Sequence, residues 1–511
     1  MNNSKIQETW RFHNSTKHPG MPPHFLDWDN QPIPFKIYKD LDPIYVPTDL
    51  PFSDAPTLEA LLPSGAPDET DIEIVPDLPT LGRLLFLSAG ITKKRRYPGG
   101  EIFFRAAACT GALYHIDLYV VTMNIEGLDA GVYHFGPHDL SLRKLREGDL
   151  RGTLVEATSN ESSISKAPTI IICTSTFWRN SWKYQSRAYR HAFWDSGTIL
   201  ANLITSANAY KIPWRIVTGF VDETVNRLLG LDTYREVAVG LVPLGKSNRE
   251  AESTKLELEE LSYETVSLSR HEIDYPSVRR MHEASSLLSK GEVKSWRNNR
   301  VEPKAIPPKG PLFPLDSGDY PEHANKSRTI EQTILRRGST RRFSREPITF
   351  KQLSHMLSSV TRGISADFIS PFGATLNDAY IIVNDVEHIP KGAYFYNPRD
   401  QSLELLKEGN FRKEAGHLGL GQDIPADAST DVFFLVDLDR IVQTYGNRGY
   451  RVAELEAGIL GGKLYLSAYS LGLGASGLTF FDDAVTEFFS PHAEGKAVMF
   501  LIALGKSVRC R

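Results

Sequence analysis

Slid 261 places along itself, the chain matches itself. Tyr184, Arg187, Tyr189, Arg190, Ala192 and Gly197 fall on Tyr445, Arg448, Tyr450, Arg451, Ala453 and Gly458. The same offset places Gly131, Tyr133 and Pro137 on Gly392, Tyr394 and Pro398, and Glu147-Gly148 on Glu408-Gly409. One residue of slippage later, Gly245-Lys246-Ser247 meets Gly505-Lys506-Ser507. One supersecondary unit therefore occurs twice. Two copies are too few for a solenoid. A pseudo-dimer is the natural outcome, because a two-fold interface keeps its physics when its halves are covalently joined.

Each copy runs through the same elements. An apolar β-rich run comes first, Leu118–Thr122 or Ala379–Val383. After a turn with Gly come a short strand (Tyr133–Phe135, Tyr394–Tyr396) and a buried strand (Thr169–Thr174, Val432–Val436). A long helix (Arg187–Tyr210, Arg448–Leu471) and a last strand (Val237–Leu244, Ala497–Leu504) close the unit. Strand segments are rich in Val, Ile, Tyr and Phe, and the helix repeats apolar residues at three- and four-residue steps. The fold class expected is α+β. Gly458, Gly461 and Gly462 interrupt the second helix, each costing about 1 kcal/mol against Ala. Either the helix is broken there, or another backbone or a flat group packs against it; we favour close packing.

The expected organisation is a Pro-rich, irregular wrapping segment (1–75), a first unit (76–247), a connection (248–330) and a second unit (331–511). The connection holds an acidic run (Glu250–Glu264), a short helical patch near Met281–Lys290 and a Pro-rich stretch (Pro303–Pro321). Hydrophobic residues are 41% and charged residues 23%, which excludes a mostly disordered chain. A net charge of −4 gives no global pull toward nucleic acid or an anionic membrane, and Lys93–Arg96 is a short basic run without interleaved aromatics. Cys109, Cys173 and Cys510 lack metal-ligand spacing and cannot make a disulfide framework. The N-terminus has no apolar core of a signal peptide, and no apolar run is long enough to span a bilayer, so the cytoplasm is the expected compartment.

Four constellations can carry chemistry. In Arg336–Phe343, Arg and Ser side chains suit a phosphate, although an Arg run is more often a solvated face. Ala108–Tyr114 is a small-residue turn before a strand, able to let backbone approach a flat ring. Gly472–Gly477 follows the long helix; part of it must be a helix C-cap. Lys183, Tyr184 and Arg187 open the first long helix with a cation and a proton donor, and the second copy has Thr444 in place of Lys183. A fifth match fails. Gly240–Ser247 fits the G-x-x-x-x-G-K-S pattern by letter, but Leu241–Leu244 reads as strand and no helix opens at Lys246.

Together these segments resemble the FMN-dependent nitroreductases, in the SagB/ThcOx-type dehydrogenase branch. RRGSTRRF resembles the family's Arg-x-Ser-x-Arg signature. CTGALYHIDLYVV with GVYHF resembles the branch's turn and strand. KYQSRAYRHAFWDSG resembles its Lys-Tyr-x-x-Arg helix start, and GLGASGLTFFDD its Gly-Leu-Gly segment. The resemblance covers roughly 80–247 and 330–511. It implies FMN at the interface of two nitroreductase-like units, each a mainly antiparallel sheet with packed helices. Arg336, Arg337, Ser339, Arg341, Gly474, Ala475, Lys506 and Arg509 would come from the second unit, and Cys109, Thr110, Gly111 and Ala112 from the first. Lys183 and Tyr184 are the implied proton-transfer residues; their reach to that flavin is left open by the sequence.

The reciprocal site is expected to be degraded. The first copy has no Arg-x-Ser-x-Arg run, has Thr218-Gly219-Phe220 near the Gly-Leu-Gly position, and would borrow Ser370–Ala374. The implied activity is hydride transfer between a donor, NADH or NADPH among the candidates, and a small-molecule acceptor through bound flavin. No metal, nucleic acid or membrane is implied. Two alternatives stand beside it: an azoline dehydrogenase acting on a modified peptide, and a flavin-binding or scaffold protein without turnover. Substrate and further homo-oligomerisation stay open.

Overall fold

The computed structural model describes residues 3–47, 50–62, 72–97, 100–301, 307–316, 328–370 and 374–508. Among them, the first sheet has the order Pro43–Tyr45, Ser141–Glu147, Gly131–Gly136, Ile116–Thr122, Thr169–Thr176, Glu236–Leu244. The second runs Gly474–Leu478, Ala497–Gly505, Thr430–Val436, Asp378–Val383, Gly392–Asn397, Ser402–Glu408, Leu312–Pro314. Neighbours are antiparallel throughout. The central strands are buried on both faces, which is why they read as nearly continuous apolar runs. Irregularities repeat as well. The register breaks at Val132/Tyr133 and Cys173/Thr174 in one sheet, and 261 places on, at Ala393/Tyr394 and Phe434/Leu435, in the other. Gly240 lies inside a strand and the Lys246 N–H donates to the Ile74 carbonyl, so the phosphate-loop match is a strand and its exit.

The long helices Ala188–Ala209 and Arg448–Ser470 pack against each other between the two sheets. Both are buried along almost their whole length, within one core that runs through both units. The second helix is unbroken. A Cβ at Gly458 would lie 2.6 Å from the Trp194 carbonyl oxygen, and one at Gly197 would lie 2.5 Å from the Gly458 carbonyl carbon. Gly462 faces Ala201 and Thr198 in the same way. Gly197, Gly458 and Gly462 are there because the two backbones nearly touch, whereas Gly461 leaves room for the Phe500 ring.

Reciprocal ion pairs flank this helix pair. Arg187 and Arg190 of the first unit meet Asp482 of the second at 3.0 and 2.6 Å. Arg448 and Arg451 of the second meet Asp222 of the first at 2.6 and 2.7 Å. Such mutual contact defines an isologous interface. Burial alone would raise the Asp222 pKa, but Arg448 and Arg451 outweigh it and hold the carboxyl at about 2. Arg187, grouped with Lys183 and Tyr184 from sequence, is thus a structural residue.

The two flanking segments differ from expectation. Residues 1–75 are not wholly irregular: they form the helix Gln7–Ser15 and the edge strand Pro43–Tyr45. The helical patch of the connection is two helices, Pro276–Ala284 and Lys290–Asn298, and Leu312–Pro314 adds an edge strand. These are copies of one another at an offset of 269. His13 Nδ1 lies 3.3 Å from the Tyr450 hydroxyl, and His282 Nδ1 lies 3.4 Å from that of Tyr189. The His13 carbonyl accepts from Arg190, and the His282 carbonyl from Arg451. A fixed 261-residue comparison hides this match. No helix among the described residues is long and apolar enough to cross a membrane.

Candidate active site between the units

The small-residue turn of the first unit is built by Asp195 on the long helix. Its carboxylate accepts from the Thr110 N–H and hydroxyl, from the Cys109 thiol at 3.0 Å and from His115 at 2.9 Å. Burial and the neighbouring Asp195 push the Cys109 thiol well above its usual pKa. Cys109 and Thr110 therefore point inward and fix the turn. Gly111 and Ala112 are exposed, with φ of 65° and 54°. A non-glycine residue in this region is uncommon and marks a backbone held in place by its surroundings.

Tyr184 lies against this turn. A Cβ at Gly111 would sit 2.8 Å from its hydroxyl. The Tyr184 ring meets His191 edge-on at 4.7 Å, and the Lys183 ammonium is 5.3 Å from its centroid. Burial and then the charge of Arg341 lower the Lys183 pKa. Burial, then Asp195 and Cys109, raise that of Tyr184, with Arg341 opposing. Arg341 belongs to the second unit, so its charge reaches Lys183 and Tyr184 across the interface.

Backbone pairing assembles the second unit's wall. Thr340 N–H donates to the Ala475 carbonyl, Ser344 N–H to that of Lys506, and Val508 N–H to that of Arg342. Gly474 is required: a Cβ there would lie 2.2 Å from both the Thr340 and Ser507 hydroxyl oxygens. Gly472, with φ 78°, is the helix cap, and Gly474–Leu478 is a strand rather than a loop. Arg336, Ser339 and Arg341 are exposed on this wall. Arg337 is used otherwise than expected. Its guanidinium donates to the Ala106 and Arg105 carbonyls at 2.7 and 2.8 Å, tying the first unit's turn to the second unit. Lys506 lies 3.5 Å from Glu346. Arg509, and Pro371, Phe372 and Gly373 of the borrowed turn, lie outside the described residues.

Sequence reasoning missed Asp195 and Arg328. Asp195 had a signal, since Glu456, another acid, lies 261 places on and accepts from the Leu376 and Asn377 N–H groups. Arg328 is depressed by burial and then by Arg336, which makes it a second like-charge pair beside Lys183 and Arg341. Like charges held near one another, Arg341 by Lys183 and Arg336 by Arg328, suit a phosphate-bearing group.

The nitroreductase family model matches residues 86–246 and 334–506, one stretch in each unit. The chain belongs to the nitroreductase family. Across 98% of its length it also matches the crystal structure of a nitroreductase candidate from Anabaena variabilis, with 28% identity, a TM-score of 0.77 and coverage of 99% of that chain. The tandem arrangement is therefore shared. MJ1384 of Methanocaldococcus jannaschii, named as a nitroreductase candidate, is 29% identical over 163 residues, which are 31% of this chain and 82% of that one. The microcin B17-processing protein McbC of Escherichia coli is 25% identical over 144 residues, or 27% of this chain and 49% of McbC.

At the other interface position of this tandem nitroreductase, side chains of the chain itself pack on one another. Tyr445, the counterpart of Tyr184, is buried and donates to the Phe368 carbonyl at 3.0 Å. Trp296 lies 5.3 Å from the Tyr445 ring, donates to the Tyr445 carbonyl, and presses on Gly219, where a Cβ would be 3.0 Å from the indole. The Asp367 carboxylate accepts from the N–H groups of Thr218 and Gly219. Arg297 donates to the Gly219 carbonyl at 3.2 Å. Aromatic, anion and cation are already supplied from within.

Proposed function

We propose that the protein is an FMN-dependent oxidoreductase with one flavin per chain, held in the groove between Gly111-Ala112 and the Arg336–Arg341 segment. The observation that carries this reading is the packing of Tyr184 against Gly111, with the charge of Arg341 from the other unit reaching both Lys183 and Tyr184. Arg336, Ser339, Arg341 and Lys506 would hold the phosphate of about two negative charges, with Arg328 beside them. Gly111, Ala112, Gly474 and Ala475 bring backbone near a flat ring. Bound FMN supplies reversible hydride chemistry between a donor such as NADH or NADPH and a small-molecule acceptor. Tyr184 can donate a proton from its hydroxyl, and Lys183, its ammonium destabilised by burial and Arg341, can supply or take one at Nζ. The filled second position supports a stoichiometry of one.

The purified protein should show a flavin band near one equivalent per chain, and anaerobic NADH or NADPH should bleach it. A colourless protein that cannot be reconstituted with FMN ends this reading. A band that no donor bleaches would favour a binder without turnover. Arg341→Ala should release flavin on gel filtration at concentrations where the parent retains it; unchanged retention would remove Arg341 from the site.

A second reading has its own support. Similarity to McbC, together with the Lys183-Tyr184 pair, fits an azoline dehydrogenase acting on a modified peptide. Oxidation of a thiazoline-bearing peptide, followed as a mass loss of two hydrogens, would favour it over a small-molecule acceptor.

A further inference from the structure

The equivalent tyrosines of the two copies, Tyr184 and Tyr445, are held in different ways. Tyr445 is anchored by its hydroxyl, which donates to the Phe368 carbonyl at 3.0 Å. The Tyr184 hydroxyl has no hydrogen-bond partner among the described residues. A hydroxyl whose one proton is committed to a buried carbonyl is a poor donor elsewhere. A tyrosine kept for proton transfer must be held by its ring instead.

His191, on the long helix, holds that ring. The imidazole is buried, meets Tyr184 edge-on at 4.7 Å and lies against the Trp194 indole at 4.8 Å. Asn180 fixes its rotation: His191 Nδ1 is 2.7 Å from Asn180 Oδ1. An amide oxygen only accepts, so Nδ1 carries the proton. Nε2 is buried without a hydrogen-bond partner among the described residues, at a cost of about 1–3 kcal/mol. The Asn180 amide nitrogen donates onward to the Thr110 carbonyl at 3.5 Å, while the Thr110 N–H donates to Asp195. Both polar groups of Thr110 are thus held, one residue before the Gly111 that Tyr184 packs against.

The second copy shows what the fold by itself requires. Counted 261 places on, His191 and Asn180 become Val452 and Ile441, both buried. His115 and Ser175, which bond each other behind Asp195, become Leu376 and Val436. The tyrosine and the acid persist as Tyr445 and Glu456. Apolar residues serve at these places where the tyrosine is anchored by its hydroxyl. The polar set accompanies the tyrosine whose hydroxyl is uncommitted.

We propose that Asn180 and His191 are positioning residues for proton transfer at Tyr184, clamping its ring and the Thr110–Gly111 backbone by contacts that leave its hydroxyl uncommitted. This rests on the flavin reading above.

Menadione becomes its hydroquinone by gaining a hydride and a proton, so its reduction reads the proton donor as well as the flavin. The FMN-loaded protein, reduced anaerobically with dithionite, can be mixed with menadione and its reoxidation followed by flavin absorbance. His191→Val and Asn180→Ile, which install the second copy's residues, should each retain one flavin per chain. Each should slow reoxidation at saturating menadione by roughly 10- to 100-fold, the range for a misplaced reacting group, with little change in the half-saturating concentration. His191→Phe keeps a ring against Tyr184 and should recover most of the rate lost in His191→Val. An unchanged rate in either of the first two variants, or no recovery in the third, would overturn the clamp. Release of flavin from them would also overturn it, since the pair would then serve cofactor retention. A parent that binds no FMN, or a Tyr184→Phe variant reoxidised at the parent's rate, would instead defeat the underlying reading.

Discussion

At the scale of single residues, chemistry and scaffolding have separated. Tyr184 packs against Gly111, with Lys183 beside its ring, while Arg187, one turn further on, is spent on Asp482. Tyr184→Phe keeps the ring against Gly111 and removes the proton; turnover should fall by about 10²-fold with the flavin spectrum intact, read by steady-state kinetics and absorbance. Lys183 should set a pH limb. Its ammonium is destabilised, so if it acts as an acid, activity falls as pH rises through its depressed pKa, below the ordinary lysine value. Lys183→Arg, always charged, should abolish that limb; a limb that persists assigns it elsewhere. The residue types of the site were legible from sequence because Arg, Ser, Gly and Lys-Tyr sit in short contiguous runs. Two assignments were not. Cys109 turns inward because Asp195, distant in sequence, bonds its thiol, and Arg337 spends donors on carbonyls of the other unit.

At the scale of elements, the two long helices decide the architecture. Their approach needs Gly197, Gly458 and Gly462, and any side chain at Gly458 meets backbone rather than a movable group. Gly458→Val should destabilise by more than about 3 kcal/mol, since overpacking here adds to β-branched strain. Urea unfolding measures this; a loss under 1 kcal/mol would mean that the helices can separate without cost. Strand and helix positions were readable from apolar periodicity. The helix Gln7–Ser15 escaped it and Pro276–Ala284 was caught only in part, because both are short and polar and fold by docking on Tyr450, Tyr189 and the arginine pairs.

At the scale of the whole molecule, the units are joined by buried charge. Asp222 and Asp482 both have carboxyl pKa values held down by arginines of the opposite unit. A depressed folded-state pKa means that the unfolded chain binds the proton first. The stability is thus complete above the ordinary carboxylate pKa near 4 and is lost as pH falls through the folded value, about 2 for Asp222. Thermal midpoints should fall steeply between about pH 4 and pH 2. Asp482→Asn removes the carboxylate that Arg187 and Arg190 contact directly in the interior and should cost roughly 3–5 kcal/mol at pH 7. Its melting curve should also lose part of that acid slope; an unchanged slope would place the acid sensitivity in other carboxylates.

By itself the sequence determined the duplication, the α+β class, and the residue types that make one interface position basic. These are local or periodic properties, carried by neighbours along the chain. Tertiary structure alone decided which unit's tyrosine feels the charge of which unit's arginine, because Tyr184 and Arg341 lie more than 150 residues apart in sequence. It also decided what packs at the second position. Trp296 and Asp367 carry no motif; they fill that position only because the fold brings the connecting helix onto Tyr445 and Gly219.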